Sequence, residues 1–188
     1  MAKNVMSLAD NWAEAVYRIA TSKSRLKTVL TPLGITFWLV LGVVLVLASL
    51  WLDELLPVRL PFVPPLNVYL SLLPLLIGIV LCFWAVYSFF KARGTPFPGN
   101  PPPEMVTSGV YSRIRNPMLL GWFFILFGLG ILLNSIFLIF VLTPLFIYLN
   151  VLYLRNVEEK EMEKKFGKEY LNYKENVPMF MPRPGRRK

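Results

Sequence analysis

The fold is decided by an uncharged stretch of 39 residues, "NPMLLGWFFILFGLGILLNSIFLIFVLTPLFIYLNVLYL", at positions 116–154. A helix that crosses a membrane needs about 20 apolar residues, so this stretch has nearly the length for two crossings. Asn134 and Ser135, two residues that favour turns, lie near its middle. We therefore predict a tight hairpin of two membrane helices, 117–133 and 136–154, whose open ends meet at one face of the bilayer.

Two further uncharged stretches lie upstream and predict single membrane helices at 33–52 and 66–90. The chain is 55% hydrophobic and only 16% charged, against roughly 25% charged residues in an average soluble domain. We expect an all-α polytopic membrane protein with four transmembrane helices, in which residues 1–188 form a single membrane domain. The first apolar stretch begins too deep in the chain for a cleaved signal peptide, so we expect it to be retained.

The distribution of Lys and Arg predicts the orientation of these helices. Five basic residues precede position 28, four lie at 91–115 and ten follow Leu154, whereas the loop at 51–65 has one basic residue and two acidic ones. Because basic loops stay in the cytoplasm, both termini and the middle loop are expected there. The net charge of +9 then fits anionic membrane lipids as partners, and we expect no nucleic acid.

The remaining segments are read by their patterns. Apolar residues recur at helical spacing within residues 1–27, which predicts a helix that lies on the inner leaflet or packs on the protein itself; both interpretations remain open. Residues 91–116 form a loop rich in Pro and Gly. Glu and Lys alternate over 158–165, and residues 155–184 predict a cytoplasmic amphipathic helix, with Gly167 either inside the helix or at its end.

Cysteine and histidine usage excludes several kinds of chemistry. Cys82 is the single cysteine, and histidine is absent. A disulfide framework, a zinc hydrolase site and a histidine-based triad are therefore excluded, and no metal is expected. Cys82 itself is interpreted as a small packing residue.

Polar residues flank both open ends of the predicted hairpin. Arg115 and Asn116 precede it, and Glu158 and Glu159 follow it. If both helices cross the membrane once, the four side chains emerge at the same face. Their spacing alone favours the plainer interpretation of anchoring arginines and a solvated charged helix.

A resemblance to a known family gives these two flanking segments a more specific interpretation. The segments "MVTSGVYSRIRNPMLLG" and "EEKEMEKKFGKEYLNY" resemble the signature of the isoprenylcysteine carboxyl methyltransferase and phospholipid methyltransferase family. In that family L-V-x-x-G-x-Y-x-x-x-R-H-P-x-Y-x-G precedes a helical hairpin and E-E-x-x-L-x-x-x-F-G-x-x-Y-x-x-Y follows it. The similarity covers about residues 91–184. Asn116 replaces the frequent histidine and Leu119 replaces a common tyrosine.

The resemblance implies an S-adenosylmethionine-dependent methyltransferase that acts on a lipid-like, amphiphilic acceptor at the cytoplasmic face of a prokaryotic inner or plasma membrane. It implies catalytic roles for Arg115, Asn116 and Glu158. The cofactor-binding residues expected in the segments 91–116 and 155–184, or directly next to them, are Gly109, Tyr111, Arg113, Arg115, Asn116, Pro117, Glu158, Glu159 and Phe166.

The chemistry of the donor fits these residue types. S-adenosylmethionine carries a sulfonium, an ammonium and a carboxylate, so arginine can bind its carboxylate and glutamate its ammonium. An amine, a carboxylate and a thiol all remain open as the acceptor. Two other functions also remain open at this stage: an NADPH-dependent enzyme similar to membrane sterol reductases, and a noncatalytic four-span scaffold or transporter.

Overall fold

The computed structural model describes residues 26–56, 60–61, 64–92 and 104–181, and all regular structure within these ranges is helical. The all-α fold class is thereby confirmed for the described part of the chain. The helix predicted for 1–27 lies outside it, except for its last two residues. The α-helices, in chain order, are α1 (Leu26–Leu55), α2 (Leu66–Lys91), α3 (Pro117–Leu132), α4 (Thr143–Tyr153), α5 (Glu159–Phe166) and α6 (Lys168–Asn176).

Two π-helical segments, Leu138–Leu142 and Leu154–Glu158, join α4 to its neighbours, so that one helical rod runs over Leu138–Phe166. The prediction ended this helix at position 154, whereas the rod continues for another twelve residues. Its uncharged part still ends at Leu154. We take Leu154 as the end of the membrane-spanning part, and the charged residues from Arg155 onward lie outside it.

Three helices are long and apolar enough to cross a membrane, over Thr36–Leu55, Leu66–Lys91 and Leu138–Phe166. The first half of the hairpin, α3, is also apolar but has 16 residues. At 1.5 Å per residue it is about 24 Å long, somewhat less than the roughly 30 Å of a hydrocarbon core. Large apolar side chains such as Phe83 and Leu47 are well exposed on these helices, as expected for surfaces that contact lipid.

The predicted turn between the two hairpin helices is present. Asn134 adopts a positive φ of 56° directly after α3, a conformation that asparagine tolerates better than most residues. The hydroxyl of Ser135 then accepts a hydrogen bond from the backbone N–H of Leu138 at 3.1 Å and so caps the following helix.

Two side chains, from α1 and α2, complete the turn end of the hairpin, which is called its outer end below. Asn67, at the start of α2, donates to the carbonyl of Leu132 at 2.8 Å. Asp53, near the end of α1, accepts from the backbone N–H of Phe137 at 3.2 Å. Each contact satisfies a backbone group that a helix end leaves without a partner, which is costly in a membrane.

Small residues bring α2 and α3 into close contact. A Cβ atom added at Gly121 would lie 2.6 Å from Cys82 Sγ, and one added at Gly78 would lie 2.6 Å from the carbonyl oxygen of Gly121. Cys82 donates to the carbonyl of Met118 at 3.4 Å. Close packing through small residues is the usual way in which membrane helices associate.

The α3 helix packs on the last rod as well, through a buried cluster that includes Phe123 and Phe146. The ring centroids of these two residues lie 6.0 Å apart, edge to face. Phe180 also contacts Phe123, at 5.4 Å between centroids. The chain after α6 therefore returns to the hairpin and covers the end at which α3 begins.

Candidate active site

The open end of the hairpin, opposite the turn at Asn134, is called its inner end below. It is built around the segment that leads into α3. Pro117 occupies the first turn of that helix, where its missing N–H costs little. The backbone N–H groups of Arg115 and Asn116 donate to the carbonyls of Pro178 (2.9 Å) and Met179 (3.1 Å). The returning C-terminal segment is thus fastened to the entrance of the hairpin by main-chain hydrogen bonds.

The guanidinium of Arg115 joins the two ends of the hairpin. Its Nη1 lies 2.7 Å from Oε1 of Glu159, and both side chains are about 10% exposed. Nη1 also donates to the hydroxyl of Tyr170 at 3.2 Å, and Nε donates to the carbonyl of Val177 at 2.9 Å. The predicted meeting of a guanidinium and a carboxylate at this face is therefore present, as an ion pair between the two residues themselves.

Lys174 adds a second cation to Glu159. Its Nζ lies 2.6 Å from Oε2 of Glu159 and 2.8 Å from Oε1 of Glu163. Burial raises the pKa of Glu159, but the hydrogen bonds from Lys174 and Arg115 outweigh burial and hold that pKa below its ordinary value. Glu159 consequently stays ionised and is a weak base.

Lys174 reaches this position because the chain turns at Gly167. That residue has a φ of +56°, which glycine adopts readily, and α5 ends one residue before it. Glu158, Met162 and Phe166, which are spaced four apart in the sequence, are the last residues with this helical spacing before the turn. The sequence left open whether the helix continues through Gly167. In the structure the helix ends there, and α6 begins at the next residue.

Glu158 has a different environment from its neighbour. It is partly exposed, yet burial of its carboxyl group raises its pKa to about 7, with the charges of Glu161 and Glu159 raising it further and Arg115 opposing them. Burial also raises the pKa of Glu161, a shift that Lys165 opposes. A carboxyl group that titrates near neutral pH is suited to accept and release a proton.

Tyr111 forms the wall of the site towards α2. It lies in a short 3₁₀ helix, Gly109–Ser112, and its ring meets that of Phe89 edge to face at 5.3 Å. The hydroxyl of Tyr173 donates to the Tyr111 carbonyl at 2.7 Å. Burial raises the pKa of Tyr111, and the charge of Glu158 raises it further.

The other expected residues lie around this centre. Gly109 begins the 3₁₀ helix at a φ of +65°. Asn116 is half-buried, and its side chain does not cap α3. Arg113 is exposed and is not part of the network around Glu159. Phe166 has the ammonium of Lys165 over its ring, with Nζ 4.9 Å from the ring centroid.

Sequence reasoning missed three side chains of the network. Tyr170 and Tyr173 belong to the quoted motif, and their aromatic spacing could have marked them as site residues. Lys174 carries no such signal, because its approach to Glu159 depends on the turn at Gly167. Within the described ranges, no group of three or more His, Cys, Asp or Glu side chains could hold a metal ion.

Comparison with known proteins identifies this arrangement. The profile of the phospholipid methyltransferase family matches residues 66–169, more than half of the chain. The chain belongs to the phospholipid methyltransferase family. The matched region contains the hairpin with Arg115, Glu158 and Glu159, and it confirms the family resemblance seen in the sequence. No curated protein gives a significant match.

Membership has direct consequences for the protein's class. Membership of a family of phospholipid methyltransferases, together with several long apolar helices, indicates an integral membrane methyltransferase. Methyltransferases in general take their methyl group from S-adenosylmethionine. The family match does not favour the reductase or the scaffold and transporter interpretations.

Proposed function

We propose that the protein transfers a methyl group from S-adenosylmethionine to the amine headgroup of a phospholipid at the cytoplasmic face of the membrane. The observation that carries this proposal is the position of Glu158, a carboxylic acid just beyond Leu154, beside the ion pair of Arg115 with Glu159. The family to which the chain belongs is named for the methylation of phospholipids.

The proposal includes a topology. The three long helices and α3 cross the membrane as four spans within one domain of 188 residues, and both termini face a prokaryotic cytoplasm. The number of basic residues on that side supports this orientation. The segments 91–116 and 155–184 then supply the cofactor contacts.

The residues at the inner end suit the charges of the cofactor. We assign the Nη2 group of Arg115 and the amide of Asn116 to the cofactor carboxylate, with Arg113 at the exposed rim. We assign the ring of Tyr111 to one aromatic wall of the cofactor site and the ring of Phe166 to a second, more distant wall. Glu159 holds Arg115 in place and acts as a positioning residue.

Glu158 is the base in this assignment. When bound, S-adenosylmethionine would supply its methyl group to a neutral amine, the N–CH₃ bond forming as the CH₃–S bond breaks and the electron pair of that bond leaving with sulfur. An ammonium headgroup must first lose a proton, and the ionised carboxylate of Glu158 accepts it. With a pKa of about 7, Glu158 is largely ionised just above neutral pH, whereas Glu159 binds protons too weakly for this role.

A labelling experiment tests the proposal. Purified protein is incubated with methyl-labelled S-adenosylmethionine and vesicles of an amine-headgroup phospholipid, with matched vesicles of phosphatidylglycerol as the control. We expect label in the amine lipid alone. Label found only in water-soluble acceptors, with both lipids inert, would contradict the proposal.

A binding measurement separates this enzyme from a reductase. A ligand that binds only the folded state raises its melting temperature. We expect S-adenosylhomocysteine to stabilise the purified protein and NADPH to leave it unchanged. The opposite pattern would favour a reductase.

A further inference from the structure

An apolar groove of about 250 Å³ lies between α1 and the last helical rod. Its walls include Trp38, Leu45, Leu145, Leu149 and Asn150. The rod side of the groove belongs to the uncharged part that ends at Leu154, and Leu145 and Leu149 are about half exposed there. Since bilayer hydrocarbon surrounds such a surface, a hydrocarbon chain is the natural occupant.

One wall of the groove is rigid. Phe146, also part of its lining, is 7% exposed. Its ring packs edge to face on Trp38, at 5.9 Å between centroids, and on Phe123, at 6.0 Å. The shape of the groove is therefore fixed by the same cluster that holds α3 in place, and a chain lying in it has a defined position relative to the inner end of the hairpin.

The groove and Glu158 lie on the same helical rod, and Leu154, which is 4% exposed, separates them. Phe146, Asn150, Leu154 and Glu158 follow one another at intervals of four, and residues four apart share a helical face. In an α-helix of 3.6 residues per turn, side chains spaced four apart shift gradually to one side of the helix. The π-helical segment Leu154–Glu158 has more residues per turn, so its side chains shift to the opposite side and offset this effect. Asn150, at the cytoplasmic end of the groove, thus lies on the same face as Glu158.

The depths along this face match those of a phospholipid. Glu158 lies about 6 Å beyond Leu154 along the helix, within an interfacial layer that is roughly 5 to 7 Å thick. The apolar lining of the groove begins a similar distance on the other side of Leu154. A lipid with its headgroup at Glu158 can therefore place its chain in the groove without leaving the bilayer.

We propose that this groove holds one acyl chain of the acceptor phospholipid and so aligns its headgroup with Glu158, an inference that rests on the proposed function. The acyl chain moves from lipid hydrocarbon to another apolar surface, so its binding to the groove gains little free energy. The contribution of the groove is orientation, and it is expected in turnover more than in affinity.

Filling the groove tests this inference. In Leu145→Trp the indole occupies the groove, while Leu76→Trp places the same indole on the lipid-facing surface of α2, where Leu76 is 62% exposed. The two variants and the wild type are assayed with dioleoyl and dihexanoyl forms of the same amine phospholipid. For Leu145→Trp we expect kcat to fall about tenfold with the dioleoyl acceptor and to stay unchanged with the dihexanoyl one. Leu76→Trp should match the wild type with both.

The outcomes separate the groove from the reaction itself. No loss with either acceptor, or an equal loss with both, would overturn the groove proposal. Stabilisation of the variant by S-adenosylhomocysteine checks its folding, and Leu149→Trp serves as the second variant if Leu145→Trp fails this check. If the wild type methylates neither acceptor, the proposed function fails instead.

Discussion

The two ends of the hairpin solve the same structural problem in different ways. At the outer end, single polar side chains such as Asn67 and Ser135 satisfy backbone groups at the helix ends. At the inner end, charged side chains bind one another, with Arg115 and Lys174 on the two oxygens of Glu159. Glu158, beside this network, keeps a carboxyl group that titrates near neutral pH.

The difference separates what holds the fold from what serves the reaction. The outer end shows that a few side chains bonded to backbone groups, those of Asn67, Ser135 and Asp53, are enough to close a helical hairpin in a membrane. Placing buried charges at the other end costs desolvation free energy, and well-packed apolar residues often stabilise such a position equally well. We interpret the charges at the inner end as functional, and the following experiments test that interpretation.

The largest effect is expected for Glu158→Gln. Loss of a general base lowers turnover by about 10²- to 10³-fold, while the amide fills the same space. We therefore expect labelled methyl transfer to fall by that factor, with the melting temperature and the affinity for S-adenosylhomocysteine nearly unchanged. Glu169→Gln, an exposed glutamate on α6, is the matched control and should retain full activity. Full turnover in Glu158→Gln would remove Glu158 from the mechanism.

Arg115→Met should be the most destabilising change at the inner end. Breaking a buried ion pair from one side typically costs 3 to 5 kcal/mol, and we expect about 3 kcal/mol because Lys174 still neutralises Glu159. The double variant Arg115→Met/Glu159→Met should lose less stability than the sum of the single variants, because neither charge is then left alone. Additive losses in denaturant unfolding would mean that the two side chains do not interact.

The pH dependence of kcat should report the titration of Glu158. A base must be ionised, so the rate is expected to rise with pH through about 7 and to level off above it. Glu161 raises the pKa of Glu158, so Glu161→Gln should move the midpoint to lower pH. A midpoint that stays in place in Glu161→Gln would assign the titration to another group.

The smallest effect is expected at the outer end. Asn67→Leu removes one hydrogen bond to Leu132, which contributes about 1 kcal/mol, but it also removes a side-chain oxygen that is buried without a partner. Stability should fall by no more than about 1 kcal/mol, and labelled methyl transfer per folded molecule should be unchanged. A large loss of turnover in Asn67→Leu would show that the outer end is not merely structural.

Much of the fold follows from the pattern of charge along the sequence. Uncharged stretches predicted the positions of α1, α2 and α3 to within a few residues, except that α1 begins at Leu26. The turn at Asn134 was predicted because polar, turn-forming residues interrupt an otherwise apolar run. The approach of Arg115 to the glutamates followed from the same hairpin, since two antiparallel crossings bring both open ends to one face.

The details of the site could not be predicted in this way. Helical periodicity assumes 3.6 residues per turn, and the π-helical segment before Glu159 changes that register. The pairing of Lys174 with Glu159 depends on the backbone conformation at Gly167. Neither feature can be read from helical spacing, so the sequence could name the two glutamates but not show that their surroundings differ.

Hydrogen exchange measured with and without S-adenosylhomocysteine tests most directly whether the inner end of the hairpin binds the cofactor. At a saturating concentration of this ligand, we predict slower exchange in residues 108–116 and 157–181 and unchanged exchange at the outer turn, residues 130–138. If exchange slowed at the outer turn alone, or if both inner segments were unchanged, the inner end of the hairpin would not be the cofactor site.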